Sequence, residues 1–179
     1  MTRLGERLGV TAMALYRHVT DRSDLERAVV ELVLGELASF STQPDDWEAG
    51  VAAWMHSVRR CWITHPWVGG MLGTRTELSP PWLAAIDGLA AILARSHLTP
   101  TTVARELTQI SRTTIGVLWL EVNAPLPQTG LTEAAIAHMP ATSQRRWQPL
   151  TKALSRYGND DLFADLVTGT LDRLRARYS

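Results

Sequence analysis

The N-terminal segment carries side chains whose chemistry suits contact with double-stranded DNA. Small or apolar side chains such as Ala12 and Met13 can approach thymine methyl groups, and the Thr11 hydroxyl can reach a base edge. Phenol, imidazole and guanidinium groups can donate to phosphate oxygens, as can the free backbone N–H groups at the start of a helix. The candidate DNA-binding residues are Thr2, Arg3, Thr11, Ala12, Met13, Tyr16, Arg17, His18 and Arg22.

Two short helices and a tight turn must position these side chains. Residues 2–9 have helical period, and Gly9 suits a left-handed C-terminal cap. Thr11 can cap a second helix running to about residue 18, and Asp21 can cap a third, with Asp24 in the capping-box position. This order predicts a helix-turn-helix. Its inward set is Leu4, Leu8, Val10, Leu15 and Val19. The third helix is expected to continue through Leu25, Val29, Leu32 and Phe40.

The stretch TRLGERLGVTAMALYRHVTDRSDLERAVVE resembles the DNA-binding region of TetR-family transcriptional repressors. The similar parts are the LGV turn, the LYRHV stretch and the D-R-x-x-L start of the next helix. HPW at residues 65–67 and the Phe163 to Asp172 spacing look like the ligand-binding half of that family. The resemblance implies that Tyr16 and His18 hold phosphates and that Met13 reads bases.

The resemblance departs at the front, because family members carry one more helix ahead of the position of Thr2. We therefore expect an N-terminally truncated DNA-binding domain over residues 1–40, with residues 1–20 loosely held. Full burial of an apolar side chain stabilises the fold by roughly 1.5–3 kcal/mol, and a side chain that is only half covered loses part of that stabilisation. A start further upstream is the favoured explanation. The alternative is a dimeric ligand-binding module without DNA binding.

Residues 46–179 predict an all-helical ligand-binding and dimerisation domain, separated from the head by a hinge at STQPDD near residue 44. Helical bundles place ligand sites between facing helices, so wide or polarisable side chains on apolar faces are pocket candidates. The resemblance implies a small-molecule inducer of unknown identity. The candidate pocket residues are Trp54, Met55, His65, Trp67, Met71, Arg112 and Trp119.

Residues 103–121 and 160–178 are predicted to form a homodimer surface, since each carries a glycine in mid-helix. A glycine there costs roughly 1 kcal/mol, which indicates close helix approach. Two heads about 34–36 Å apart would read a palindromic operator, and a ligand that prefers a different spacing would release it. The candidate interface residues are Gly116, Phe163, Leu166, Gly169 and Leu174.

Composition narrows the class of protein. The 179 residues have zero formal net charge, which excludes a protein surface that is basic throughout. The single cysteine excludes an intrachain disulfide. The sequence shows neither a signal peptide nor a membrane span, so we expect a cytoplasmic protein. An enzyme is the rival class, since His56, Cys61 and His65 lie close in sequence. Their spacing suits zinc poorly, and no phosphate loop or hydrolase motif is present, so we expect no catalytic activity, metal or cofactor.

Overall fold

The computed structural model describes residues 1–38, 46–72, 79–95, 98–126 and 133–178. Over these ranges the chain is all-helical, which confirms the predicted fold class, and no strand occurs among the described residues. The helices are α1 (Thr2–Leu8), α2 (Ala12–Leu15), α3 (Arg22–Ala38), α4 (Trp47–Thr64), α5 (Trp67–Leu72), α6 (Pro80–Ala94), α7 (Pro100–Asn123), α8 (Glu133–Ala137), α9 (Ala141–Leu154) and α10 (Asn159–Tyr178).

Local signals in the sequence set most helix ends. Thr99 caps α7 by accepting from the Thr102 N–H, and proline occupies the first turn of both α6 and α7. Asp46 caps α4, which ends at Thr64 ahead of Pro66. The short helices α5 and α8 were not predicted, because six and five residues are too few to show a clear period.

The core lies between α3, α4, α6, α7 and α10. Helix α4 contributes an apolar stripe that includes Val51, Trp54 and Trp62, and α6 packs onto it through Trp82 and Leu89. Trp82 lies 6.3 Å from Trp54 and 6.1 Å from Trp62, measured between ring centroids. Three indoles at these separations give the core a large apolar contact area.

Helix α3 packs on α6 with a different face from the one predicted. The sequence favoured a stripe through Val29 and Leu32, but Leu32 is 77% exposed. The buried residues are Val30, Val33, Leu34 and Leu37, one position further round the helix. Phe40 and the predicted hinge near residue 44 lie outside the described residues.

A polar cluster joins three helices beneath the C-terminal end of α7. Arg59 of α4 donates through Nη2 and Nε to the two carboxylate oxygens of Glu121, at 2.6 and 3.1 Å. The same guanidinium also donates to Asp160 at 2.5 Å, and it lies 4.7 Å from the ring centroid of Phe163. Arg59 therefore connects α4 to both α7 and α10.

Replacing Arg59 by Lys is expected to lower the free energy of unfolding by about 1–3 kcal/mol. A lysine cannot donate two parallel hydrogen bonds, and the Glu121 side chain, which is only 9% exposed, would lose one of them. Urea unfolding measures the change. Arg60→Lys on the exposed neighbouring position is the control, expected within about 0.5 kcal/mol of wild type. Equal losses in the two variants would contradict the assigned role.

Within the described ranges, none of the helices combines the length and apolarity that crossing a bilayer requires.

Candidate DNA-binding and ligand-binding sites

Helices α1 and α2 pack against each other through a turn, and this packing requires glycine at two positions. Gly9 has φ 68°, the left-handed conformation predicted for the cap of α1. Gly5 faces the turn so closely that a Cβ there would lie 2.6 Å from the backbone oxygen of Val10. The two helices therefore meet at backbone contact, which holds the helix-turn-helix geometry.

Both predicted caps of the next two helices are present. Thr11 accepts a hydrogen bond from the Ala14 N–H at 3.2 Å, and Asp21 accepts one from the Asp24 N–H at 2.8 Å. The Asp24 carboxylate in turn accepts from the Thr20 N–H at 2.8 Å. This bond and the Arg27 guanidinium lower the pKa of Asp24 below its ordinary value. Helix α2 itself ends at Leu15, earlier than the sequence indicated.

All but one of the candidate DNA-binding residues are exposed to solvent. Met13 is 73% exposed and Tyr16 is 47% exposed, although both carry large apolar groups that ordinarily pack inside. Only Ala12 of the set is half-buried. Side chains held outward by two short, capped helices are free to enter a groove. The exposed members are Thr2, Arg3, Thr11, Met13, Tyr16, Arg17, His18 and Arg22.

The charge of this surface is locally positive within a neutral chain. Arg3, Arg7 and Arg17 are exposed and form no ion pair with any described residue. Arg22 instead pairs with Glu26 at 2.7 Å, so it would exchange this partner for a phosphate on binding. Unpaired arginines on a protruding face are suited to phosphate contacts.

The predicted inward set is only partly correct. Leu4, Leu15 and Val19 are half-buried, but Leu8 is 61% exposed and Val10 is 44% exposed. Both exposed residues lie at the end of α1 or in the turn, where no described side chain covers them.

The predicted pocket residues differ in burial and lie on different helices. Trp54 and Met55 are fully enclosed in the core, and the Trp54 indole donates to the Ala85 carbonyl at 2.8 Å. His65 is half-buried beside Trp67 at 6.0 Å between ring centroids, with Glu36 of α3 3.8 Å from its Nε2. The Met71 side chain lies outside the described residues.

Arg112 and Trp119 are the two predicted pocket residues on α7. Both lie on the exposed face of α7, and Trp119 is 50% exposed. The opposite face of α7 carries its buried residues Glu106, Ile110, Thr114 and Leu118. Helical period alone cannot decide which of two mixed faces turns inward, and the packing of α7 on α4 and α6 decided it.

Two buried polar groups, one on α4 and one on α7, were not predicted from the sequence. The Trp62 indole nitrogen and the Thr114 hydroxyl are buried, and no described residue pairs with either. Buried polar groups are normally hydrogen-bonded, so each such group is a candidate for orienting a bound molecule. No motif signals them, because a tryptophan or threonine on an apolar stripe is typical of ordinary core.

The predicted dimer residues divide between the surface and the core. Gly116 and Gly169 are exposed with open space around them, and Leu166 is half-buried. Phe163 and Leu174 are wrongly assigned, since each is 1% exposed within the chain's own core. The apolar stripe of α10 packs inward, so a partner would meet the opposite face of that helix.

The structure does not assemble the three residues considered for zinc. His56 packs edge-on against Phe163, whereas Cys61 faces the Val33 carbonyl of α3. Burial raises the pKa of Cys61 to about 11, which disfavours the thiolate that a metal requires. Among the described residues, no group of three or more His, Cys, Asp or Glu side chains converges as a metal site needs.

Helices α1 and α2 with their tight turn form a helix-turn-helix, and α3 joins it to an all-helical body. This architecture places the chain in the helix-turn-helix class of proteins. The family model for the tetracycline repressor-like C-terminal domain matches residues 41–167. The chain therefore belongs to the TetR family.

Similar proteins agree with this assignment. The chain is 31% identical over 94 residues to an HTH-type transcriptional regulator of Saccharopolyspora erythraea, a match covering 52% of this chain and 40% of that relative. A possible TetR family transcriptional regulator from Streptomyces coelicolor A3(2) shares the fold with TM-score 0.76 and 24% identity, over 98% of this chain and 88% of that one. The S. coelicolor protein ActR, solved in complex with actinorhodin, has TM-score 0.75 and 20% identity, over 99% and 87% of the two chains.

Proposed function

We propose that this protein is a ligand-responsive transcriptional repressor that binds palindromic operator DNA as a homodimer. The exposed surface of α1 and α2 carries the proposal. Met13 and Tyr16 are exposed there, and Arg3, Arg7 and Arg17 form no ion pair with a described residue. Base edges and phosphates are the partners that this surface fits. A cytoplasmic location belongs to the proposal, because a repressor needs access to the chromosome.

Dimerisation is proposed through the exposed faces of α7 and α10. Gly116 and Gly169 have no side chain, and nothing lies within 4 Å of where a Cβ would stand. A partner helix could therefore approach both faces closely. Leu120, 50% exposed on α7, adds apolar area to the same face. Two copies related by a twofold axis would present two heads to successive major grooves.

The proposed ligand site lies in the body beside the tryptophan cluster of Trp54, Trp62 and Trp82. Their tilted indoles would contact a broad apolar molecule, and the Trp62 N–H, which no described residue pairs with, would orient its polar group. Helix α3 starts beside the head and packs on α6, so movement of α6 would be transmitted to the head. The ligand must bind the two head spacings with different affinity.

Selection of DNA from a random library tests the proposed activity directly. The expected result is an enriched palindrome whose half-sites are separated by about 10 bp or a multiple of it. Enrichment of no sequence above the unselected library, by a protein shown to be dimeric and folded, would overturn the proposal.

Substitutions within the head should separate phosphate contacts from base contacts. Arg17→Ala is expected to weaken binding to all sequences about equally and to reduce the salt slope by about one. Met13→Ala should change the selected bases and leave the salt slope unaltered. Fluorescence anisotropy over a salt series measures both. Arg60→Ala on the exposed body is the matched control, and a salt slope altered equally by it and by Arg17→Ala would show that this face does not hold the DNA.

A further inference from the structure

The surface proposed to bind DNA divides into two parts of different charge. Residues 2–18 contain three arginines and a single acidic residue, Glu6. Residues 21–27, where α3 begins, contain three acidic residues and two arginines. Because DNA phosphates attract cations and repel carboxylates, the start of α3 is the part of the surface that suits the DNA backbone less well.

The two arginines of residues 21–27 are paired with carboxylates of their own helix. Arg22 donates from Nε to a Glu26 oxygen at 2.7 Å, one helical turn away. Arg27 donates to Asp24, whose second carboxylate oxygen accepts from the Thr20 N–H. Both guanidinium groups therefore have a partner before any DNA is bound.

The two carboxylates differ in what else they hold. Asp24 also fixes the turn ahead of α3 through the Thr20 N–H. Glu26 forms no hydrogen bond or ion pair with any described residue other than Arg22, and its side chain is 36% exposed. Removing the charge of Glu26 therefore changes the state of Arg22 and leaves the cap and the core as they are.

The order of the Arg22–Glu26 pair is unfavourable for helix stability. Arg22 is the first residue of α3, at the helix end where the macrodipole is positive and disfavours a cation. Pairs four residues apart stabilise a helix better with the acidic residue ahead of the basic one. A guanidinium in this position, on a side chain that is 83% exposed, is better explained by an anion outside the chain than by the stability of α3.

We propose that Glu26 restrains Arg22 and thereby limits the affinity of the head for DNA without altering its base preference. This inference rests on the proposed function. For Arg22 to reach a phosphate, the ion pair must break, and Glu26 then remains as an unpaired carboxylate beside the DNA backbone. Both effects weaken binding to every sequence alike, because phosphates carry no sequence information.

Glu26→Gln tests the proposal, since glutamine keeps the size of the side chain and removes its charge. At low salt, the affinities for the selected operator and for an unrelated duplex should both rise about two- to fivefold, the factor that an exposed ion pair represents. The gain should shrink as the salt concentration rises, because salt screens both the ion pair and the repulsion from the phosphates. Fluorescence anisotropy over a salt series measures the gain.

Two controls separate this effect from a general change of charge. Glu31→Gln removes the same charge from the same helix, at a residue that forms no ion pair with a described residue, and its gain should be smaller. Glu26→Gln made in an Arg22→Ala background removes the same carboxylate where no guanidinium is left to release. The gain there should fall to less than roughly half of that in wild type, because the two residues are coupled.

Three results would overturn this inference while the proposed function stands. Equal gains from Glu26→Gln with and without Arg22 would show that the carboxylate acts directly on the phosphates. An unchanged affinity would show that Glu26 does not restrain Arg22, and an altered set of selected bases would show that Glu26 contributes to base recognition. Wild-type protein that binds no duplex at low salt would overturn the proposed function itself, and this inference with it.

Discussion

Replacing Gly5 by Ala is expected to abolish sequence-specific DNA binding while leaving the helical body folded. The added Cβ would lie 2.6 Å from the Val10 backbone oxygen and 3.3 Å from the Ala12 nitrogen. Both are backbone atoms of the turn and cannot rotate away as a flexible side chain would. The turn must open, and α2 then leaves the position that presents Met13 and Tyr16.

The size of the effect follows from how the surface works. Loss of one phosphate or base contact costs about 1–3 kcal/mol, and a displaced α2 loses several contacts together. We expect the affinity of Gly5→Ala to fall to that of non-specific DNA. The body should unfold at an unchanged urea midpoint, since α1 and α2 pack mainly on each other.

Gly35→Ala provides the matched control for this prediction. Gly35 also lies within a helix, but nothing stands within 4 Å of where its Cβ would be. Alanine there should preserve DNA binding and stabilise α3 by about 0.5–1 kcal/mol. Anisotropy with the selected operator measures both variants. Wild-type affinity in Gly5→Ala would show that the turn tolerates the methyl group and that the assigned geometry is wrong.

Replacing Glu106 by Gln is expected to destabilise the body by about 2 kcal/mol at neutral pH. Glu106 is fully buried in α7, yet it accepts from the Tyr178 hydroxyl at 2.7 Å and pairs with Arg173. Arg177 and Arg105 lie 3.4 and 3.5 Å from the same carboxylate. Losing one member of a buried pair costs about 3–5 kcal/mol, and half-exposed arginines that can turn to water reduce that cost.

The pH dependence of stability gives this prediction a second test. Burial alone would raise the pKa of Glu106, but hydrogen bonds from Arg173 and Tyr178 outweigh it and hold the pKa below the ordinary value. A carboxyl whose pKa is lower in the folded state stabilises the fold above its unfolded pKa of about 4.3. This stabilisation is lost as pH falls through the lower, folded pKa.

Urea unfolding of wild type and Glu106→Gln from pH 7 to pH 3 checks both parts. The difference in free energy should be constant above about pH 5 and should shrink as the carboxylate of wild type becomes protonated. Asp87→Asn, at an exposed position on α6, should show no such difference at any pH. If the free energies of unfolding of wild type and Glu106→Gln still differ by the same amount at pH 3, the variant loses packing and not the interactions of a charge.

The sequence by itself determined the longer helices, several of their caps and the class of protein. Gly9, Thr11 and Asp21 act through neighbours within four residues, so their roles follow from local geometry that is visible in the chain. The apolar stripes of α4 and α10 also follow from helical period. The candidate DNA-binding residues were predicted from side-chain types such as Met13 and Tyr16, which are large apolar groups on an exposed surface.

Only the tertiary structure decided what each stripe faces. Phe163 and Leu174 look the same in sequence whether their stripe meets a partner or the chain's own core, and packing placed them in the core. Trp119 seemed suited to a pocket, yet α7 turns it outward. Arg59 meets Glu121 across 62 positions, and Glu106 meets Arg173 across 67. Such pairs depend on how whole helices dock, which is a sum over many contacts that no local spacing records.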